Sequence, residues 1–476
     1  MHMIRRLAGA LLLTTACVAM AGPVQSALPD PLREAIIEAI NTNPEVQERW
    51  HDFLAAGEGR NVARGRFLPE VDLELSVARE YQDSDDFGNL SRDPVRAELT
   101  LNQMIWDGFY TSAEVNRLGH TRMVRYYELL EAAEQAALEA IRAYADVERY
   151  RELVILAEDT YRTHREIYDQ VADLARTGVG PGADLETATG RVALAESNLL
   201  TEIANLHDVS ARFLRIVGRM PSEDYFDMID VVPGDALPET VDEAVRTALT
   251  SNPAMFASFE NVMSADEQVR MGRSYYHPQL DFRAQVARDN ALTSTFVEDN
   301  AERWVTDSTI GLVLRLNLFR GLADKARIGQ FVAESDRARD QRENVCRNIR
   351  QTVAIAFNDI KVAEERLVYL DQYQLSSDRV RTAYLQQFNI GQRTLLDLLD
   401  TENEFFEARR AYVEAQFDYE VAKARALAGL GQLLTSLEIA RDEMPEIGSE
   451  TVIDTEELCP PLAPMMLQVE RNSLFR

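Results

Sequence analysis

The chain has 476 residues, with 50 Lys and Arg against 79 Asp and Glu, a formal net charge of −29. That acid excess excludes a nucleic-acid partner, because phosphate contacts need clustered Lys and Arg, and it disfavours a basic membrane-surface protein. At 46% hydrophobic and 27% charged residues the chain is not a polytopic helical membrane protein, and 16 Pro with 22 Gly is too few for a disordered one.

The first element is a targeting segment over residues 1–21, in which Arg5 and Arg6 precede an apolar run and Ala19-Met20-Ala21 forms a cleavage site. Cys17 leaves lipidation open as an alternative, although Thr14 stands where an aliphatic residue is expected. No later segment approaches the ~18 consecutive apolar residues of a membrane helix. Export without such a helix leaves the periplasm, the outer membrane or the exterior.

A first structural repeat follows over residues 22–217. It opens with a helical run at 30–66, then a stretch of the other period, where Val71, Leu73, Leu75 and Val77 alternate with Asp72, Glu74 and Ser76. After a polar loop at 81–93, Val95, Ala97, Leu99 and Leu101 alternate with Arg96, Glu98 and Thr100. Strands of about 9 to 11 residues with one apolar and one polar face suit a barrel with lipid outside and water inside. Residues 111–177 contain one Gly and no Pro, so they predict a single rod of ~100 Å. A shorter helix at 183–217 returns antiparallel to it.

The linker at 218–236 holds Pro221, Pro233 and Gly234, and the whole order then recurs over 237–430. Leu28-Pro29 matches Leu237-Pro238, and Asn43-Pro44 matches Asn252-Pro253, at a constant offset of 209. Beyond an insertion in the polar loop at 290–303 the offset is 213, and Gly178 and Asp184 match Gly391 and Asp397. The second set of strands places Leu280, Phe282, Ala284 and Val286 on one face, then Ile310, Leu312, Leu314, Leu316 and Leu318. Tyr81, Trp106, Trp304 and Phe319 fall near strand ends, where an aromatic girdle would sit. The fold class is therefore mainly α with a small β part: tandem long helical hairpins forming an α-barrel. Four strands cannot close a barrel alone; a homotrimer would supply twelve.

Over nearly its whole mature length the chain resembles the TolC family of outer-membrane efflux and secretion channels. The features that carry the likeness are the duplicated Leu-Pro and Asn-Pro openings and the strand ends Ile105-Trp106-Asp107-Gly108 and Leu318-Phe319-Arg320-Gly321. The turns Thr177-Gly178-Val179-Gly180 and Ile390-Gly391-Gln392-Arg393 complete them. The resemblance implies a trimer in outer-membrane lipid with a periplasmic α-barrel. Its closed tip would dock, through the turns at Gly178, Val179, Gly180, Ile390 and Gly391, on a periplasmic adaptor (a membrane fusion protein). That adaptor would couple it to an inner-membrane ABC transporter or, alternatively, an RND pump.

Asp397 and Asp400 stand three apart on one face of the returning helix, and threefold symmetry would make each a ring whose mutual repulsion raises the apparent pKa values. On spacing alone, acids that merely complement the helix dipole are the preferred reading. The resemblance assigns these two positions to the family's cation-selectivity gate. It also makes Arg393 the gate arginine, with Asp184 as its partner in a latch. Phe388 stands where a tyrosine is expected, and Ala183 replaces a threonine, so the latch here departs from the family pattern.

After processing two cysteines remain, Cys346 in a long helix and Cys459 in the C-terminal tail at 431–476. In an oxidising compartment a bridge tying the tail to the helical barrel's waist is one reading and two free thiols the other. Two cysteines and six scattered His offer no metal-ligand spacing, and no phosphate loop or nucleophile elbow marks an enzyme or a cofactor. His51, His120, His164, His207 and His277 sit mostly within amphipathic helices. The Leu-Pro and Asn-Pro opening resembles type I secretion members, including exporters of large repeat adhesins. A multidrug efflux duct is the alternative, and a non-channel periplasmic coiled-coil adaptor the second.

Overall fold

The computed structural model describes residues 29–84, 88–178, 181–222, 236–290, 304–444 and 459. The targeting segment with Cys17, most of the linker, and Val179 and Gly180 lie outside them. The first repeat runs α1 (Asp30–Thr42), α2 (Pro44–Gly65), β1 (Glu70–Val77), β2 (Glu80–Ser84), β3 (Gly88–Arg92), β4 (Val95–Trp106), α3 (Tyr110–Arg176) and α4 (Gly182–Val217). The second runs α5 (Val241–Ser251), α6 (Pro253–Ser274), β5 (Gln279–Asp289), β6 (Val305–Arg315), α7 (Ala323–Asn389) and α8 (Leu395–Leu430), and a one-turn α9 (Leu433–Ser436) follows.

Both long helices have 67 residues, or ~100 Å each at 1.5 Å per residue. The run expected at 30–66 is not one helix. Pro44 forces Asn43 into extended backbone (ψ 126°), and the Asn43 side chain then accepts from the Glu45 N–H to start a new helix. Asn252 does the same before Pro253, and its side-chain amide also donates to the Gly429 carbonyl. The repeated Asn-Pro is thus a hinge that bends each short helical run over the waist.

In the upper half the lateral order is α2, α3, α6, α7, and in the lower half α4, α3, α8, α7. The main apolar core sits at the waist, where α1, α5, α9 and the ends of α4 and α8 surround the alanine-rich middle of α3. Small side chains such as Ala137, Ala140 and Ala145 are wholly or almost wholly buried there and let the rods approach closely. Cys346 and Cys459 form a disulfide with Cα atoms 6.2 Å apart. It fixes the tail to α7.

Glu134 of α3 accepts from the backbone N–H groups of Leu433 and Leu434, holding the start of the tail. Burial pushes its pKa up from 4.5 to about 7 against the pull of those bonds. The folded state therefore keeps a proton that the unfolded chain releases, so stability is full below 4.5 and is lost as pH rises through about 7. Glu134→Gln is expected to flatten the dependence of Tm on pH between 5 and 8; a slope equal to the wild type's would rule this out.

The strands form one antiparallel sheet in the order β1-β4-β5-β6. Register aligns Val71, Leu101, Ala284 and Ile310 in one row, and Leu73, Leu99 and Val286 in the next. This apolar face is bare, with Leu75 72% and Ile310 74% exposed. The opposite face carries Asp72, Glu74, Glu98 and Arg96, with Arg96 bonded to Glu98 at 2.6 Å. The polar segment expected as loop at 81–93 instead forms a two-stranded ribbon, β2 with β3. Leu316 and Leu318 fall beyond β6, which ends at Arg315.

Each strand-to-helix corner uses two consecutive left-handed residues, Gly108-Phe109 and Gly321-Leu322. A Cβ on Gly108 would lie 2.5 Å from His277 Cβ and 2.8 Å from the Ser274 carbonyl oxygen. Gly108→Ala is expected to destabilise the junction by roughly 1–3 kcal/mol. Thermal unfolding in detergent measures it, and an unchanged Tm would show that the corner relaxes.

Candidate functional site: the gate at the helix tips

At the end of the rods farthest from the sheet, two helical turns face each other. In the second, Gly391 (φ 75°) ends α7, its N–H donating to Phe388 O at 2.9 Å and that of Gln392 to Gln387 O at 2.8 Å. Thr394 and Asp397 then form a reciprocal capping box that starts α8. In the first turn Gly178 (φ 76°) follows α3 and Pro181 precedes α4 without a side-chain cap. The two turns are built differently.

Beneath them Ile167, Val171, Ala188, Leu395, Leu398 and Leu399 make a small separate core, with Phe388 packed against it. Loss of the expected tyrosine hydroxyl therefore comes with an apolar anchor: Phe388 serves the core of the tip.

The carboxylates are not the free pair the spacing suggests. Asp397 is held by the Thr394 hydroxyl at 2.8 Å and by the Thr394 N–H, with Arg393 3.9 Å away. These groups pull its pKa below the ordinary 3.8; within one protomer that is opposite to the rise that ring repulsion alone would give. Asp400 is paired with Arg191 of α4 at 2.5 Å. Arg393 is not seated on Asp184 within the protomer. Its Nε donates to Gln387 at 2.9 Å and its guanidinium carbon lies 4.1 Å from the Tyr384 ring centroid. Arg393 stands just before the cap of α8 and comes within 3.9 Å of Asp397 in its first turn, so the arginine is taken up by its own hairpin.

Neither Arg191 nor its neighbour His164 was legible from the sequence as a partner of these acids. His164 is buried, its Nδ1 has no partner among the described residues, and burial followed by the Arg191 charge pushes its pKa down to about 4. Repeat arithmetic held a signal for Arg191: its counterpart in the second half is Glu404, an inversion of charge. Together Asp184, Asp397 and Asp400 against Arg191 and Arg393 sum to −1 in each protomer. Among the described residues no group of His, Cys, Asp and Glu could hold a metal ion, and no helix is long and apolar enough to cross a membrane.

The model of the outer membrane efflux protein family matches residues 35–219 and 244–433, one stretch in each repeat. The chain belongs to that family. It is 25% identical over 436 residues to the outer membrane efflux protein BepC of Brucella suis, covering 88% of this chain and 90% of that one. It is 22% identical to the outer membrane protein TolC of Escherichia coli (84% and 82% covered) and 22% identical to the alkaline protease secretion protein AprF of Pseudomonas aeruginosa (81% of each). Among solved structures the Campylobacter jejuni CmeC outer membrane channel superposes with a TM-score of 0.73 at 13% identity, covering 89% of this chain and 94% of that one. As a member of the outer membrane efflux protein family the chain is an outer-membrane channel, with its sheet in the membrane and its long helical barrel in the periplasm.

Proposed function

We propose that the protein is the outer-membrane exit duct of a type I secretion system, passing unfolded protein from an inner-membrane ABC transporter and a periplasmic adaptor to the exterior. The observation that carries the channel reading is the sheet with two edges, β1 and β6, unpaired among the described residues, and a bare aliphatic face. Pairing β6 of one protomer with β1 of the next in a closed trimer gives twelve strands, removes every edge and turns that face to lipid. The helical edges follow suit, since α7 leaves Val332, Val362 and Val368 exposed and α4 leaves Leu200 and Ile203.

Secretion is favoured over efflux by the relatives named for protein export, AprF and the proteases secretion protein PrtF of Dickeya chrysanthemi. The name of BepC supports the second reading, a duct for a multidrug efflux pump such as an RND transporter. A deletion strain separates them: secretion predicts the loss of specific large proteins from the medium with drug susceptibility unchanged. Hypersusceptibility with an intact secretome would overturn it.

A further inference from the structure

Between α2, α3, α6 and the stretch after α8 lies a cavity of about 770 Å³, within the roughly 300–1,000 Å³ of small-molecule sites. In a chain as acidic as this one, three guanidinium groups line it: Arg60, Arg122 and Arg441. Arg441 is only 8% exposed, and neither its Nε nor its Nη1 has a hydrogen-bond acceptor among the described residues. Its carbon centre lies over the Trp50 ring at 4.4 Å, which fixes the plane without satisfying those donors. The Nε atoms of Arg60 and Arg122 are also buried without acceptors, and the two cations face each other closely enough to depress the pKa of Arg60 after burial and Arg64.

Two carboxylates share the wall, and both are committed; beside Arg441 in sequence, Asp442 and Glu443 favour its charge without bonding its Nε or Nη1. Glu260 lies 2.7 Å from His120 Nδ1, and Glu134 is spent on the N–H groups of Leu433 and Leu434. Aromatic rings complete the lining, with Tyr127 stacked on Phe256 at 5.2 Å. A buried guanidinium without an acceptor destabilises the fold that holds it, and an anion seated among the three would offset that cost. A bare inorganic ion would leave the aromatic surface unused.

We infer that the waist cavity is a binding site for a small organic anion with an aromatic body, a ring carboxylate or sulfonate held by Arg60, Arg122 and Arg441. It lies along the rods at the waist, away from the tip turns, so its occupancy is separable from gating and from the secretion reading. An anion there would join α2 and α3 to the tail segment that carries Arg441.

Calorimetric titration of the detergent-solubilised protein with 1-naphthalenesulfonate, uncharged 1-naphthalenemethanol and inorganic phosphate tests it. Saturable sulfonate binding at one site per chain is expected, with the alcohol and phosphate each about tenfold weaker or more. Arg441→Gln and Arg122→Gln should each cost about tenfold in sulfonate affinity, and Arg441→Lys less, because an ammonium keeps charge but not the fork. Without anion, Arg441→Gln should melt no lower than the wild type, since it removes a buried guanidinium whose Nε and Nη1 have no acceptor among the described residues. The inference is overturned by absence of saturable binding or by equal sulfonate affinity in wild type and Arg122→Gln. An Arg441→Gln protein that melts well below the wild type while Arg122→Gln binds normally would also overturn it, making Arg441 a packing residue.

Discussion

Replacing Arg191 with glutamine is expected to make the pore more selective for cations and more sensitive to block by divalent ions. In the folded protomer Arg191 sits on Asp400 at 2.5 Å, and Asp400 is 56% exposed by side chain. The pair therefore adds ~1 kcal/mol or less to stability, and its consequence is electrostatic. Removing the guanidinium takes the sum of Asp184, Asp397, Asp400, Arg191 and Arg393 from −1 to −2 per protomer, which in a trimer doubles it from −3 to −6. These charges would lie at a constriction, where screening by bulk salt is weakest. His164 would stay neutral at pH 7, because burial is the first cause of its low pKa and Arg191 only the second. Reversal potentials in asymmetric KCl, compared between wild type and Arg191→Gln, read the change directly; a cation preference that falls or stays constant would show that Asp400 does not face the ion path.

Loss of the disulfide has the largest expected effect on stability. Cys346 and Cys459 are 113 residues apart, and both are buried, at 1% and 0% exposed. Closing a loop of that length restricts the unfolded chain, so breaking the bridge costs about 2–5 kcal/mol. The loss falls on the waist, where the tail packs against α7 and Glu134 holds its first turn. Cys346→Ser with Cys459→Ser should melt clearly lower than the wild type, and reducing agent should lower the wild type to the same value without moving the variant. A double variant as stable as the parent would mean that apolar packing alone seats the tail.

The duplication made most of the architecture legible, because two gap-free stretches report the same elements twice and each checks the other. Both 67-residue helices and the alternating strands could be read from period and composition, and the match of Gly178 to Gly391 from the repeat. Asn-Pro was legible as a landmark, while its role as a hinge was not. A helical run with Pro at its centre resembles a helix with Pro at N1 until the Asn43 cap is seen. The ribbon β2-β3 was missed because its sequence is mostly polar, with Tyr81 and Leu90 isolated, and carries no period-two apolar signal.

At the gate the residue types were legible and their partners were not. Spacing places Asp397 and Asp400 on one helical face, whereas neutralisation of one by Arg191 depends on how α4 lies beside α8. Likewise Arg393 finds Tyr384 and Gln387 in its own hairpin, contacts set by the tight turn at Gly391. Long-range side-chain pairing is fixed by the packing of rods, and periodicity does not encode it.

Ion selectivity in planar bilayers, with Asp397→Ala and Asp400→Ala combined, tests the central claim that the tip is the selective constriction of an outer-membrane channel. Wild-type protein should give long-lived single-channel currents that prefer cations and are blocked by divalent ions from the side of the tip. The double variant removes both carboxylates of the second turn's helix and leaves Arg191 and Arg393 unopposed by them, so the preference should disappear or turn toward anions. Currents with the wild type's selectivity and block would contradict the account.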